Sequence, residues 1–281
     1  MNKVTLLKGD CIKKLKGLKD NSVDSVVTDP PYEIGFMGKG WDDSGIANNP
    51  KLWKEVLRVL KPGGHLLSFS HSRTYHRQAV AVEDAGFDIR DQIMWIYGSG
   101  FPKSHNIGKS VDKLLGNERE VVGSKGSYRD MRGGALDPNL TQDRERLEIM
   151  ETKGQSQYEG WGTALKPAHE PIVMARKPLS EKTVAKNVLE YGTGGINIDE
   201  CRVGTEKVSV HHAGSSSSKT YGWNNGDKKD SSKDYYENEG RFPANIIFDE
   251  EAGKILDEQS DVGGASRFFY CPKASKKDRN D

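Results

Sequence analysis

The sequence predicts an α/β fold in which short apolar strands alternate with amphipathic helices around a sheet. Two observations carry that prediction. Apolar, partly β-branched runs recur through the first hundred residues, and the stretches between them hold apolar side chains at helical spacing, closed by Gly, Pro or Asp.

Taken in order, Val4–Leu7 reads as a short buried strand ending at Gly9-Asp10. Cys11–Lys19 sets Ile12, Leu15 and Leu18 on one face among lysines, the pattern of a short amphipathic helix. Val23–Thr28 is a second strand, stopped by Asp29-Pro30-Pro31-Tyr32. Strand, helix and strand so close together form a βαβ unit, so the two strands are expected to be parallel. Lys51–Leu60 carries Leu52, Val56, Leu57 and Leu60 on one helical face, and Lys61-Pro62-Gly63-Gly64 ends it. His65–Ser70 is a strand, Tyr75–Ala85 a helix closed by Gly86, and Ile89–Tyr97 another strand. The whole is a doubly wound pattern. Sheets of that kind bind ligands at the carboxyl ends of their parallel strands, where Asp10 and Asp29 both fall.

Beyond Gly98 the pattern loosens. Gly98–Gly108 reads as a loop, Lys109–Leu115 as a short helix, and Gly123–Gly162 as charged and glycine-rich with little periodicity. Glu170–Ala175 is one more strand, Lys186–Tyr191 is helical, and Val203–Glu239 is polar enough to read largely as a mobile loop.

Bulk properties narrow the function. The 281 residues hold 42 basic and 41 acidic side chains, so net charge says nothing for or against a nucleic-acid partner. Hydrophobic residues make up 34% of the chain and the mean hydropathy is −0.74, which leaves room for polar inserts. Cys11, Cys201 and Cys271 are odd in number and widely spaced, which speaks against a disulfide framework and for a reducing cytoplasm. No apolar run approaches a membrane span and the N-terminus lacks a signal-peptide profile, so a cytoplasmic protein is expected.

Chemistry concentrates in Asp29-Pro30-Pro31-Tyr32. Two prolines stiffen the backbone and remove two amide donors, leaving local carbonyls without internal partners. A carboxylate, a free carbonyl and an aromatic ring held at a strand tip suit a planar group that bears an exocyclic amine. Asp29 and the Pro30 carbonyl accept its two hydrogens while Tyr32 stacks on the ring. Such hydrogen bonds localise the amine lone pair for attack on an electrophilic methyl.

These residues, with Lys8-Gly9-Asp10-Cys11 and Asn21-Ser22-Val23-Asp24 before them, resemble the opening of the beta-class DNA amino-methyltransferases. Leu60–Gly64, Gly98–Asn106, Ala164–Ile172, Gly192–Val203 and Arg241–Asn245 extend the resemblance over most of the chain, toward a phage and prophage branch. It implies a Rossmann-like, S-adenosylmethionine-dependent methyltransferase fold acting on double-stranded DNA, in a restriction-modification or phage setting. Asp29, Pro30 and Tyr32 would hold and activate the target amine, with Pro31 fixing the turn. Asp10 would bind the adenine part of the cofactor, with Cys11 beside it. Asp at the head of the tetrapeptide favours adenine over cytosine. Within that frame, residues 1–115 are the catalytic core, 116–160 a polar insertion, 161–180 a core strand, 181–245 a target-recognition region, and 246–281 the start of a C-terminal core segment.

One departure stands out. The family's Phe-x-Gly-x-Gly turn, which cradles the methionine part of the cofactor, follows a segment like Asp249–Lys273 in this branch, and no such turn appears before Asp281. Gly192-Thr193-Gly194-Gly195 follows a helical stretch and reads as a tight turn. The fold is thus expected to be incomplete at its C-terminus: in the family's sheet the missing strands lie between Val4–Leu7 and Val23–Thr28, so the sheet would lose its middle and leave two strand edges unpaired. A homodimer or a complementing C-terminal fragment would then be needed; the alternatives are an inactive DNA-binding fragment, or a methyltransferase for RNA or a protein amide.

Elsewhere, Phe101, Lys103, Ser104, His105 and Asn106 combine an aromatic with basic and polar groups, as a flipped base and its phosphates require. His71, Arg73, His76 and Arg77 read as a solvated helix face, and Arg129, Arg132, Arg144 and Arg146 sit among acidic residues. His211-His212 and Cys201 fit no zinc spacing, and no metal is expected.

Overall fold

The computed structural model describes residues 4–35, 40–129, 146–211, 235–260 and 264–272. In chain order these form α1 (Cys11–Lys16), β1 (Val23–Thr28), α2 (Pro50–Val59), β2 (Leu60–Phe69), α3 (Tyr75–Asp84), β3 (Asp88–Ile96), α4 (Ile107–Leu115), β4 (Glu120–Arg129), β5 (Arg146–Lys153), β6 (His169–Arg176), α5 (Val184–Tyr191), β7 (Val203–His211), β8 (Tyr235–Arg241), β9 (Ile246–Phe248) and α6 (Glu250–Gln259). The chain divides into two compact units, one of residues up to Ser99 and from Ala168 onward, the other Gly100–Pro167.

The first unit is built on a five-stranded sheet in the order β1-β2-β6-β3-β9. β1 runs parallel to β2, with Thr28 opposite Ser68, and β9 parallel to β3. β6 lies antiparallel between β2 and β3, with Ile172 opposite both Phe69 and Ile93. So β1, β2, β3 and β9 share one direction and β6 alone is reversed. The α/β class therefore holds, in a sheet that is mixed. A reversed strand can enter between two parallel ones because it needs no crossover helix to reach its neighbours.

α2 and α3 cover one face. Leu52, Trp53 and Val56 of α2, Ala81 and Val82 of α3, and Leu66, Val173 and Ala175 of the sheet make the buried core. Asn49 caps α2, accepting from the Lys51 amide at 3.0 Å, with Pro50 in the first turn where its missing N–H costs nothing. At the amino end of the sheet, Asn187 of α5 is fully buried and donates to the carbonyls of Pro62 and Thr193, each at 2.8 Å. Gly192 ends α5 in a left-handed C-cap, so the Gly192–Gly195 run is a turn, as its place after a helix predicts.

Two expectations are corrected. Val4–Leu7 forms no strand: Val4 is 82% and Leu6 90% exposed. A strand backbone needs a neighbour to take its N–H and C=O groups, and among the described residues none pairs with the outer edge of β1. The expected βαβ unit at the N-terminus is absent for the same reason. The polar stretch from Val203 is not loop throughout, since its ends pair as the antiparallel β7–β8 ladder. Residues 212–234 lie outside the described set, as do Arg132, Arg144 and His212.

In the second unit α4 sits with the β4–β5 ladder. Asp112 of α4, with no exposed side-chain surface, pairs with Arg119, whose guanidinium also binds Glu159 at 2.8 Å. Gly154 lies against that pair, where a Cβ would collide with the Asp112 carboxylate.

Candidate active site

The mixed sheet brings five segments to one end: Asp29–Tyr32 after β1, Ser70–Thr74 after β2, Tyr97 after β3, Asp249 after β9, and the first residues of the reversed β6. β1 gets its strand character from Val23, Val26, Val27 and Thr28, and stops where Pro30 and Pro31 can no longer donate to β2. Asp29 is exposed, while Pro30, Pro31 and Tyr32 are half-buried.

Tyr32 is held at several points. Its hydroxyl donates to Glu170 Oε2 at 2.9 Å. Its carbonyl accepts from Thr74 Oγ1 at 2.7 Å, and its ring lies 6.2 Å from the His71 ring, centroid to centroid. Burial raises the phenol's pKa, and the Glu170 and then the Asp29 carboxylates raise it further through charge and hydrogen bonding. The hydroxyl is thus a proton donor throughout the neutral range. Burial, then the Glu170 charge, also pushes the neighbouring Tyr97 phenol up.

The residue after Tyr32 is strained. Glu33 has φ +56°, a left-handed conformation that costs a non-glycine residue energy. The buried Asp42 holds it there, accepting from the Glu33 amide at 3.0 Å. The Glu33 carboxylate in turn accepts from the Gly45 amide at 2.7 Å. The turn that presents Tyr32 is therefore braced by the Asp42 side chain and the Gly45 backbone amide, 9 and 12 positions beyond Glu33.

Asp10 and Cys11 are both exposed at the start of α1, where Asp10 Oδ1 accepts from the Lys13 amide at 2.9 Å. In the other unit, Ser104 Oγ accepts from the Thr163 amide at 3.0 Å and Asn106 Oδ1 caps α4 by accepting from Lys109 at 2.8 Å. His105 Nε2 lies 2.5 Å from Ser110 Oγ. Ser104, His105 and Asn106 thus shape their own loop, and Phe101, 79% exposed, and the exposed Lys103 extend from it. Among the described residues no group of three His, Cys, Asp or Glu is placed to hold a metal ion.

Glu170 is the site residue that sequence reasoning missed. Its signal was the run Lys166-Pro167-Ala168-His169-Glu170-Pro171, an ionisable residue beside proline at a strand start. Only the antiparallel placement of β6 brings it to Tyr32, 138 positions away.

Residues 23–247 match the model of a DNA methylase family, the N6/N4 methylases. The Type II methyltransferase M.HpaI of Haemophilus parainfluenzae is 32% identical over 117 residues, 39% of this chain and 37% of that protein. The Type II methyltransferase M.HinfI of Haemophilus influenzae is 31% identical over 110 residues, 32% of this chain and 31% of that protein. These matches span about a third of each relative's length. Among solved structures, TTHA0409 of Thermus thermophilus, complexed with S-adenosyl-L-methionine, superposes with a TM-score of 0.31 at 20% identity, covering 62% of this chain and 54% of that one. The M1.HpyAVI–SAM complex gives a TM-score of 0.28 at 14% identity, covering 60% and 52%.

Proposed function

The chain belongs to the N6/N4 DNA methylase family, and on that footing we propose that it methylates the exocyclic amine of a base flipped out of double-stranded DNA, adenine in preference to cytosine. The observation that carries the reading is Asp29-Pro30-Pro31-Tyr32 at the carboxyl end of β1, with Tyr32 fixed from Glu170 and Thr74.

The residues have separate tasks. The Asp29 carboxylate and the Pro30 carbonyl accept the two amine hydrogens, drawing the nitrogen toward a tetrahedral shape with a localised lone pair. The Tyr32 ring stacks on the base and sets its plane, so that positioning supplies much of the acceleration. The pair of prolines keeps those groups in one geometry at little further entropic cost. Phe101 and Lys103, exposed in the other unit, have the chemistry to contact DNA bases and phosphates.

S-adenosylmethionine supplies the methyl group, carried on a sulfonium. Asp10, which already caps α1 through Oδ1, and the exposed Cys11 would take its adenine end. Among the described residues no strand pairs with the outer edge of β1. That open edge favours an enzyme completed by a second copy or by a complementing segment.

The test is transfer of labelled methyl from S-adenosylmethionine to unmethylated duplex DNA, with Asp29→Ala as control. Loss of an acceptor in such a site is expected to reduce the rate by about 100-fold or more while the fold persists. Transfer at wild-type rate in Asp29→Ala would refute the reading.

A further inference from the structure

One carboxylate at the carboxyl end of the sheet has no task in the reaction just described. Glu170 is half-buried at the start of β6, across from Trp95 of β3. It accepts the Tyr32 hydroxyl at 2.9 Å. The Asp29 carboxylate, three positions before Tyr32, also raises that phenol's pKa by its charge, and the Glu170 charge raises that of Tyr97. A phenol has one proton, so at any moment it serves one acceptor. The Tyr32 backbone is tied to Thr74 through its carbonyl at 2.7 Å, and apart from Glu170 the carboxylate that acts on the phenol is Asp29.

We propose that Glu170 is a positioning residue: by accepting the hydrogen bond of the Tyr32 hydroxyl it holds the ring in place and keeps the Asp29 carboxylate open to the amine of the target base. A lone pair of Asp29 satisfied by Tyr32 is lost to the amine, so the division of labour between the two carboxylates sets how well the amine is activated. The consequence for rate rests on the methyltransferase reading; the pairing itself does not.

The experiment uses the full chain as wild type, Glu170→Ala, Glu170→Gln, Tyr32→Phe and the Glu170→Ala/Tyr32→Phe double variant, with folding checked by circular dichroism. The first readout is the ring-carbon NMR signal of ζ-labelled tyrosine, with Tyr32 identified by its loss in Tyr32→Phe. Adding Asp29→Asn is expected to move that signal in the Glu170→Ala background and to leave it nearly in place when Glu170 is present. Equal movement in both backgrounds would overturn the proposal. The second readout is methyl transfer. Glu170→Ala is expected to lower kcat by about tenfold or more, with a smaller change in KM and partial recovery in Glu170→Gln, and to cost less than about twofold when added to Tyr32→Phe. Equal losses with and without the Tyr32 hydroxyl would make Glu170 merely structural. Absence of transfer from the wild-type chain would show that this chain alone is not the active enzyme, and the tyrosine signal would still decide the pairing.

Discussion

Tyr32 shows how much support one half-buried loop residue needs. Its hydroxyl, its carbonyl and the backbone just after it are each bound by a different segment: Glu170, Thr74 and Asp42. The left-handed Glu33 is the weak point, because its strain persists only while Asp42 accepts its amide. Asp42→Ala would leave that amide without its acceptor, and a loss of about 1–3 kcal/mol in a urea melt is expected. Methyl transfer should fall more steeply than stability, since the turn that carries Tyr32 would relax. An unchanged urea midpoint would show that the brace is idle. The companion change Glu33→Gly removes the conformational penalty but also the carboxylate that binds Gly45, and is expected to loosen the turn.

Among the elements, α5 and the α4 region each depend on one buried polar group. Asn187 ties α5 to the start of β2, and Gly63 beside it has φ +81°, with a Cβ due to fall 2.6 Å from Asn187 Nδ2 and 2.8 Å from Gly194 Cα. Neither can change alone. Asn187→Ala takes the partner from the Thr193 carbonyl and the Ser180 amide and leaves the Pro62 carbonyl to the Thr193 hydroxyl, so about 2–4 kcal/mol of destabilisation is expected by denaturant titration. In the other unit the Arg119 guanidinium, by hydrogen bond and charge, holds the Glu159 carboxyl below the usual carboxylate range. A depressed pKa in the folded state means stability that is fully present above the unfolded value of about 4.3 and declines as pH falls through the lowered one. Amide exchange in α4 and β5 is therefore expected to accelerate on acidification below about pH 4, and Arg119→Ala should remove much of that acid response. An acid response that survives Arg119→Ala would assign it to other groups.

At the largest scale, among the described residues the five-stranded sheet ends at β1 with no strand paired to its outer edge. Val27 of β1 is 66% exposed, and Val4, Leu6 and Leu7 beyond α1 are 82%, 90% and 52% exposed. An uncovered strand edge with apolar side chains is a template for pairing with another chain. Concentration-dependent self-association is expected by analytical ultracentrifugation, and Val27→Lys should shift it to higher concentration. A chain that stays monomeric at high concentration would show that the edge is protected. No described helix is long and apolar enough to cross a membrane.

By itself the sequence determined the helices α1 to α5, the strands β1, β2, β3 and β6, and the tetrapeptide Asp29–Tyr32 at the tip of β1. Those features are written in local spacing: apolar periodicity, a cap or a glycine at each end, and two prolines that stop a ladder. The tertiary structure alone decided that β6 runs backwards between β2 and β3, that Val4–Leu7 finds no strand to pair with, and that Glu170 and Asp42 reach the tetrapeptide. Strand direction and pairing depend on which backbone groups meet across the sheet, and a carboxylate's task depends on the donor it faces. Both are set by contacts between residues far apart in the chain, and local spacing carries no record of them.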